Sequence, residues 1–246
     1  VWWTVPFAFA VAALIHRRLD AGWIRTTRRY AVVSWGFLSV GNLFGGMWAY
    51  QELGWGGFWG WDPVENASLM PWFTATAYLH SVMIQERRGM LKVWNMALVM
   101  LTYFLTIFGT FLTRSGLIDS VHTFAQSDVG DYFIVALVVL AVVSVGLILW
   151  RVFDGSLKST ADVDSLVSRE GVFLLNNFLL LGCMGVVMFG TLGEKISAYL
   201  WQETKYTAPW FNSWMVPGGL ALIVLMGIGP LISWRSVTFK TFRKNF

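Results

Sequence analysis

Four of the seven residues from Trp55 to Trp61 are aromatic and the other three are glycine, in the order Trp55-Gly56-Gly57-Phe58-Trp59-Gly60-Trp61. Glycine lets a backbone turn tightly and come close to a ligand, while indole and phenyl rings offer broad apolar faces with little side-chain entropy to lose. Such a loop suits a flat, hydrophobic ligand. A membrane-surface belt also collects Trp and accounts well for any lone one, but seven consecutive Trp, Phe and Gly residues exceed what a belt needs. Three histidines, His16, His80 and His122, supply imidazole, the side chain that most often ligates a metal. Arg114, eight residues before His122, brings a planar guanidinium suited to a carboxylate. The single cysteine, Cys183, leaves no disulfide framework, CxxC pair or thiolate metal site within the chain.

The residues after the aromatic run carry a helix start. Asp62 at the N-cap, Pro63 at the first helical position and Glu65 two further on have capping-box spacing, with Asp in place of Ser or Thr. A short helix is predicted from Pro63, with Pro71 interrupting it or starting the next span. That gives an interfacial helix laid on the membrane, and it assigns Asp62 and Glu65 to structure ahead of a catalytic carboxylate pair.

These residues need a membrane frame, and composition supplies it. The chain is 56% hydrophobic and 13% charged over 246 residues, about half the charge of a soluble domain, which excludes an ordinary soluble globule and disorder alike. Spanning the hydrocarbon layer takes roughly 20 apolar residues as a helix. Seven segments qualify by composition, at about 1–15, 30–50, 70–85, 93–113, 132–150, 171–192 and 213–234. The fold class is therefore all-α, a polytopic helical membrane protein with one domain over 1–246 and the Trp-rich segment at 51–72 within it. The chain begins at Val1 without a charged n-region or cleavage site and reads as an internal piece of something longer.

Basic residues set the orientation, because Lys and Arg accumulate in loops on the inner side. Fifteen of the eighteen lie in the connections 16–29, 86–92, 151–170 and 235–246, whereas the alternate connections carry only Arg114, Lys195 and Lys205 against eight acids. The basic balance is a topology signal and supports no nucleic-acid partner. It places the aromatic loop, Arg114 and His122 on one outer face. His80 falls about ten residues into the span beginning near Met70, roughly 15 Å deep and near the bilayer centre. Thr76 and Trp72 precede it by one and two turns on the same helix face. By the residues alone His80 is either a functional intramembrane group or a ring hydrogen-bonded to Asn42, Asn95 or Asn176 on a neighbouring helix. Arg114 is either a carboxylate partner or a snorkelling side chain. His16, on the basic side, reads as an interfacial residue.

The stretch from Trp48 to Asn66, WAYQELGWGGFWGWDPVEN, resembles the tryptophan-rich WWD motif of the haem-handling proteins of cytochrome c biogenesis. The form WDPVENASLMPW, preceded by VPFAFAVAALI (Val5 to Ile15) and followed by GTFLTRSGLIDSVHTF (Gly109 to Phe124), is similar to the haem-lyase branch of that family. The likeness continues through Ser168-Arg169-Glu170-Gly171 and Leu174-Leu175-Asn176-Asn177 to Gly227-Ile228-Gly229-Pro230, nearly the whole chain. It implies a haem lyase membrane component that binds haem on its outer face and assists thioether attachment to the CxxCH site of apocytochrome c. It implies two haem b groups, one within the membrane with His80 as an axial ligand and one transient at the outer loop. That outer haem would rest on Trp55, Trp59 and Trp61, with His122 on its iron and Arg114 on a propionate. The second axial histidine of each would come from outside this chain. Implied partners are apocytochrome c, a haem-delivering chaperone, a thiol-handling subunit and membrane lipid. The implied membrane is a bacterial inner membrane with the loop facing the periplasm, or else a mitochondrial inner membrane. A haem transporter or chaperone without ligation activity is the rival reading, and a structural subunit anchored by its tryptophans is the blandest.

Overall fold

The computed structural model describes residues 2–54, 56–118, 130–160, 168–200, 202 and 204–229. Within them the chain forms seven helices: α1 (Thr4–His16), α2 (Ala21–Glu52), α3 (Pro63–Arg88), α4 (Lys92–Arg114), α5 (Gly130–Phe153), α6 (Arg169–Leu200) and α7 (Ala208–Ile228). There is no strand among the described residues. Four stretches, Lys92–Arg114, Gly130–Phe153, Glu170–Leu200 and Ala208–Ile228, are long and apolar enough to cross a membrane. The protein is an integral membrane helical bundle. α1 is shorter, at 13 residues, while α2 and α3 have the length but a more polar composition.

The polarity of α3 follows from its place. It packs against α2, α4 and α6 and buries Glu65, Asn66, Thr74, Ser81 and Gln85. In hydrocarbon an unpaired polar group is costly, so such residues must bond within the bundle. Ser81 Oγ donates to Asn95 Oδ1, Asn95 Nδ2 donates to Gln85 Oε1 at 2.7 Å, and Thr102 Oγ1 donates to Thr74 Oγ1 at 2.8 Å. Two indoles tie α3 to α2: Trp35 Nε1 donates to Thr76 Oγ1 at 2.9 Å and Trp72 Nε1 to Ser39 Oγ at 2.8 Å.

The capping box at Asp62 forms as expected, but the separate interfacial helix does not. α3 runs unbroken through Pro71 for 26 residues. Proline removes the N–H that would bond the carbonyl four residues back, here that of Ala67. α4 closes on that point through Gly109, where an added Cβ would lie 3.1 Å from the Ala67 carbonyl oxygen and 3.3 Å from its Cβ. The helix thus runs through the proline with α4 packed closely over the carbonyl that lacks its usual N–H. Gly109→Val is therefore expected to lower stability by about 1–3 kcal/mol through overpacking. Thermal unfolding in detergent checks this, and an unchanged midpoint would refute the close approach.

At the opposite end from the aromatic loop, the basic residues are tied into the bundle. Arg28 pairs with Glu86, Arg88 with buried Glu170 at 2.6 Å, and Arg17 with Asp154 at 2.8 Å. Buried Arg151 sends Nε to the Leu14 carbonyl at 2.5 Å and Nη2 to the Ile15 carbonyl at 2.9 Å, satisfying groups left open where α1 ends. Hydrogen bonds from Ser156, Arg151 and Arg17 hold the Asp154 carboxyl well below the usual carboxylate range.

Candidate functional site

The loop owes its shape to the residues that follow it. Glu65, buried at the start of α3, accepts the Gly60 N–H at 2.9 Å and the Asp62 N–H at 3.1 Å on one carboxylate oxygen, and Asp62 accepts the Val64 N–H at 3.0 Å. Asn66 Nδ2 donates both to the Trp61 carbonyl and to Thr191 Oγ1 on α6, each at 3.0 Å. Trp61 takes φ 59°, a backbone region that bulky residues rarely occupy unless their surroundings enforce it. On the far side α2 passes against the loop at Gly46, where an added Cβ would sit 2.9 Å from the Phe58 carbonyl oxygen. Sequence reasoning missed Asn66; the available signal was a second polar residue directly after a capping box in an apolar span. Asn66→Leu is expected to cost about 1–2 kcal/mol and to loosen the loop from α6. Increased quenching of tryptophan fluorescence by an aqueous quencher reports that, and parental quenching would contradict it.

The loop roofs an apolar groove of about 820 Å³ between α2 and α3, with Trp35, Phe44, Met47, Phe58, Trp59 and Trp72 among its walls. Trp59 lines the groove, and its Nε1 is buried with no hydrogen-bond partner among the described residues. Phe58 stacks on Tyr50 at 4.5 Å. Trp61 turns the other way, stacking on Phe211 of α7 at 5.1 Å and 7° and donating Nε1 to Asn212 Oδ1 at 2.8 Å. One indole thus faces the groove and the next anchors the loop to α7, two roles that the run of aromatics alone does not separate. Trp55 lies outside the described residues.

α3 begins at Pro63 and not near Met70, so His80 lies well past the middle of this helix. It is eight residues from the end of α3 at Arg88, about 12 Å along the axis, and so nearer the basic end. It also leaves the face shared with Trp72 and Thr76: each four-residue step turns a helix about 40°, so two steps carry it about 80° around, from α2 towards α6. There its Nδ1 lies 2.7 Å from Asn176 Nδ2, one of the three asparagines foreseen, and its ring is 5.9 Å from that of Phe173. His80 and Asn176 line a cavity of about 640 Å³ that also takes in Arg28, Glu86, Arg87 and the end of α7. That volume is within the ~300–1,000 Å³ of ordinary ligand sites. The cavity brings together an imidazole, the Arg28–Glu86 ion pair, a second guanidinium and apolar walls.

Arg114 ends α4, exposed, at the same end of the bundle as the loop. His122 lies outside the described residues. His16 is exposed at the close of α1, and Cys183 is a buried free thiol. Among the described residues no three His, Cys, Asp or Glu side chains gather as a metal cluster.

Residues 2–118 match the family model described as cytochrome C assembly protein. The chain is 43% identical over 237 residues to the cytochrome c-type biogenesis protein CycK of Bradyrhizobium diazoefficiens, covering 96% of this chain and 36% of that one. It is 41% identical over 244 residues to the cytochrome c-type biogenesis protein CcmF of Haemophilus influenzae, covering 99% of this chain and 37% of that one. A solved structure titled cytochrome c heme lyase CcmF superposes with a TM-score of 0.75 at 38% identity, over 96% of this chain and 35% of that chain. The chain thus spans little more than a third of the length of these relatives.

Proposed function

The chain belongs to the CcmF family of cytochrome c-type biogenesis proteins, and from that premise we propose that it is the haem-handling part of a membrane haem lyase. The observation that carries this reading is the aromatic groove under a loop locked by Glu65 and Asn66. Haem is the substrate there. Trp59 and Phe58 support its face, His122 takes its iron and Arg114 a propionate, leaving an edge open to incoming thiols. Each thiol of the apocytochrome CxxCH site adds across a haem vinyl group, sulfur joining one carbon and hydrogen the other, with no leaving group. Holding the edge against the thiols replaces a bimolecular encounter with a positioned one.

Within the membrane, His80 would hold the iron of a resident haem b, with Arg87 and the Arg28–Glu86 pair lining the cavity that would receive its propionates. When bound, that group would supply the one-electron chemistry that keeps the outer iron reduced. The remaining axial histidines, a haem-delivering chaperone and a thiol-handling subunit complete the system from outside this chain. The seven helices span a bacterial inner membrane with the loop towards the periplasm.

The test is covalent haem attachment to an apocytochrome in cells that lack their own homologue, supplied with the full-length protein. Haem-stained product is expected with CxxCH and absent with SxxSH, and Trp59→Ala and His122→Ala are expected to reduce it at least tenfold. Haem bound by the protein without any dependence of attachment on these residues would instead mark a carrier.

A further inference from the structure

His80 has one ring nitrogen engaged and one left. Its Nδ1 is 2.7 Å from the Asn176 amide, Phe173 packs against the ring, and both residues border the cavity. Only Nε2 remains for a ligand. Asn176 is itself buried, so its amide is held where it can set the ring.

The direction of that hydrogen bond decides what Nε2 can do. If the amide N–H donates to Nδ1, the proton of a neutral ring is on Nε2 and no lone pair faces the cavity. If the amide oxygen accepts from an Nδ1–H, Nε2 carries the lone pair and can bind a metal. The two ends of an amide are nearly the same size, so a half turn exchanges them in place. A carboxylate would serve only the accepting role and would put a charge into the membrane. An amide serves both without one.

We infer that Asn176 is the positioning residue for His80: its amide donates to Nδ1 when the cavity is empty and turns to accept from Nδ1–H when Nε2 binds iron. The inference rests on the reading of His80 as an iron ligand. It names a partner for the face of the ring opposite the metal, the usual way ligating histidines are oriented and their basicity tuned.

The test uses the full-length protein in detergent, comparing the parent with His80→Ala, Asn176→Leu and Asn176→Asp by haem content, EPR of the low-spin ferric haem and midpoint potential. Asn176→Leu is expected to weaken retention of the intramembrane haem about 10–100-fold. Asn176→Asp is expected to keep the haem and lower its midpoint, since a stronger acceptor favours ferric iron; a tenfold shift in the ferric-to-ferrous affinity ratio is about 59 mV for one electron. If Asn176→Leu does not fold, Asn176→Asp carries the test. Parental affinity, EPR and midpoint in both Asn176 variants, with the haem lost in His80→Ala, would overturn the role of Asn176 and leave the His80 reading standing. Retention of all haem in His80→Ala would overturn the His80 reading and the inference together.

Discussion

Replacing Glu65 by Ala is expected to dismantle the aromatic loop while leaving the helical bundle in place. One oxygen of this buried carboxylate holds the loop at two points, the N–H groups of Gly60 and Asp62. Hydrogen bonds to a charged acceptor contribute about 1.5–3 kcal/mol each, so losing both costs about 3–6 kcal/mol, nearly all of it local. Trp61 then has less to enforce its left-handed backbone, and Trp59 loses its fixed place in the groove. Haem binding at the outer site is expected to fall more than tenfold, with the signal of the His80 site unchanged. Glu65→Gln keeps an acceptor without the charge and is expected to fall between. Titration of haem into the full-length variants, read by absorption, checks this. Parental outer-site affinity in Glu65→Ala would mean that the loop does not depend on its carboxylate strut.

Arg151→Met is the second change with a large expected effect, and it acts on stability at the other end of the molecule. α1 is short, and its final carbonyls, at Leu14 and Ile15, are satisfied by a guanidinium from the end of α5. Methionine fills much of the space but donates nothing. Leaving those carbonyls without donors costs about 1–3 kcal/mol each in a buried site, for a total near 3 kcal/mol. Arg151→Lys keeps the charge, but a point donor cannot reproduce the fork, so recovery is expected to be partial. Denaturation in mixed detergent reports the difference, and a Met variant as stable as the parent would contradict the capping role. Such a change far from either cavity is expected to lower haem content only in proportion to folded protein.

How legible all this was depended on how local the cause is. The Asp62 capping box needs only neighbouring residues and was readable, as was the alternation of basic and acidic connections that later appears as ion pairs gathered at one end. Pro71 reads as a break, yet α3 continues through it, at a point where α4 packs closely against Ala67 through Gly109. His80 was assigned the face of Trp72 and Thr76, but the helical drift over two turns brings it to α6 and Asn176. The aromatic run looked like one platform, whereas contacts with α7, some 150 residues away in sequence, draw Trp61 aside and leave Trp59 in the groove. Glu65 was read as a cap, which it is, but its hold on Gly60 depends on how the loop folds back. The misses at Pro71, His80 and Trp61 concern partners distant in sequence, where local periodicity carries no information.

The most direct test of the central claim is the absorption spectrum of the full-length protein titrated with haem in detergent, for the parent, His80→Ala and His122→Ala. The account predicts two haem populations in the parent, with each substitution removing a different one. A folded parent that binds no haem, or two variants that bind as the parent does, would contradict it.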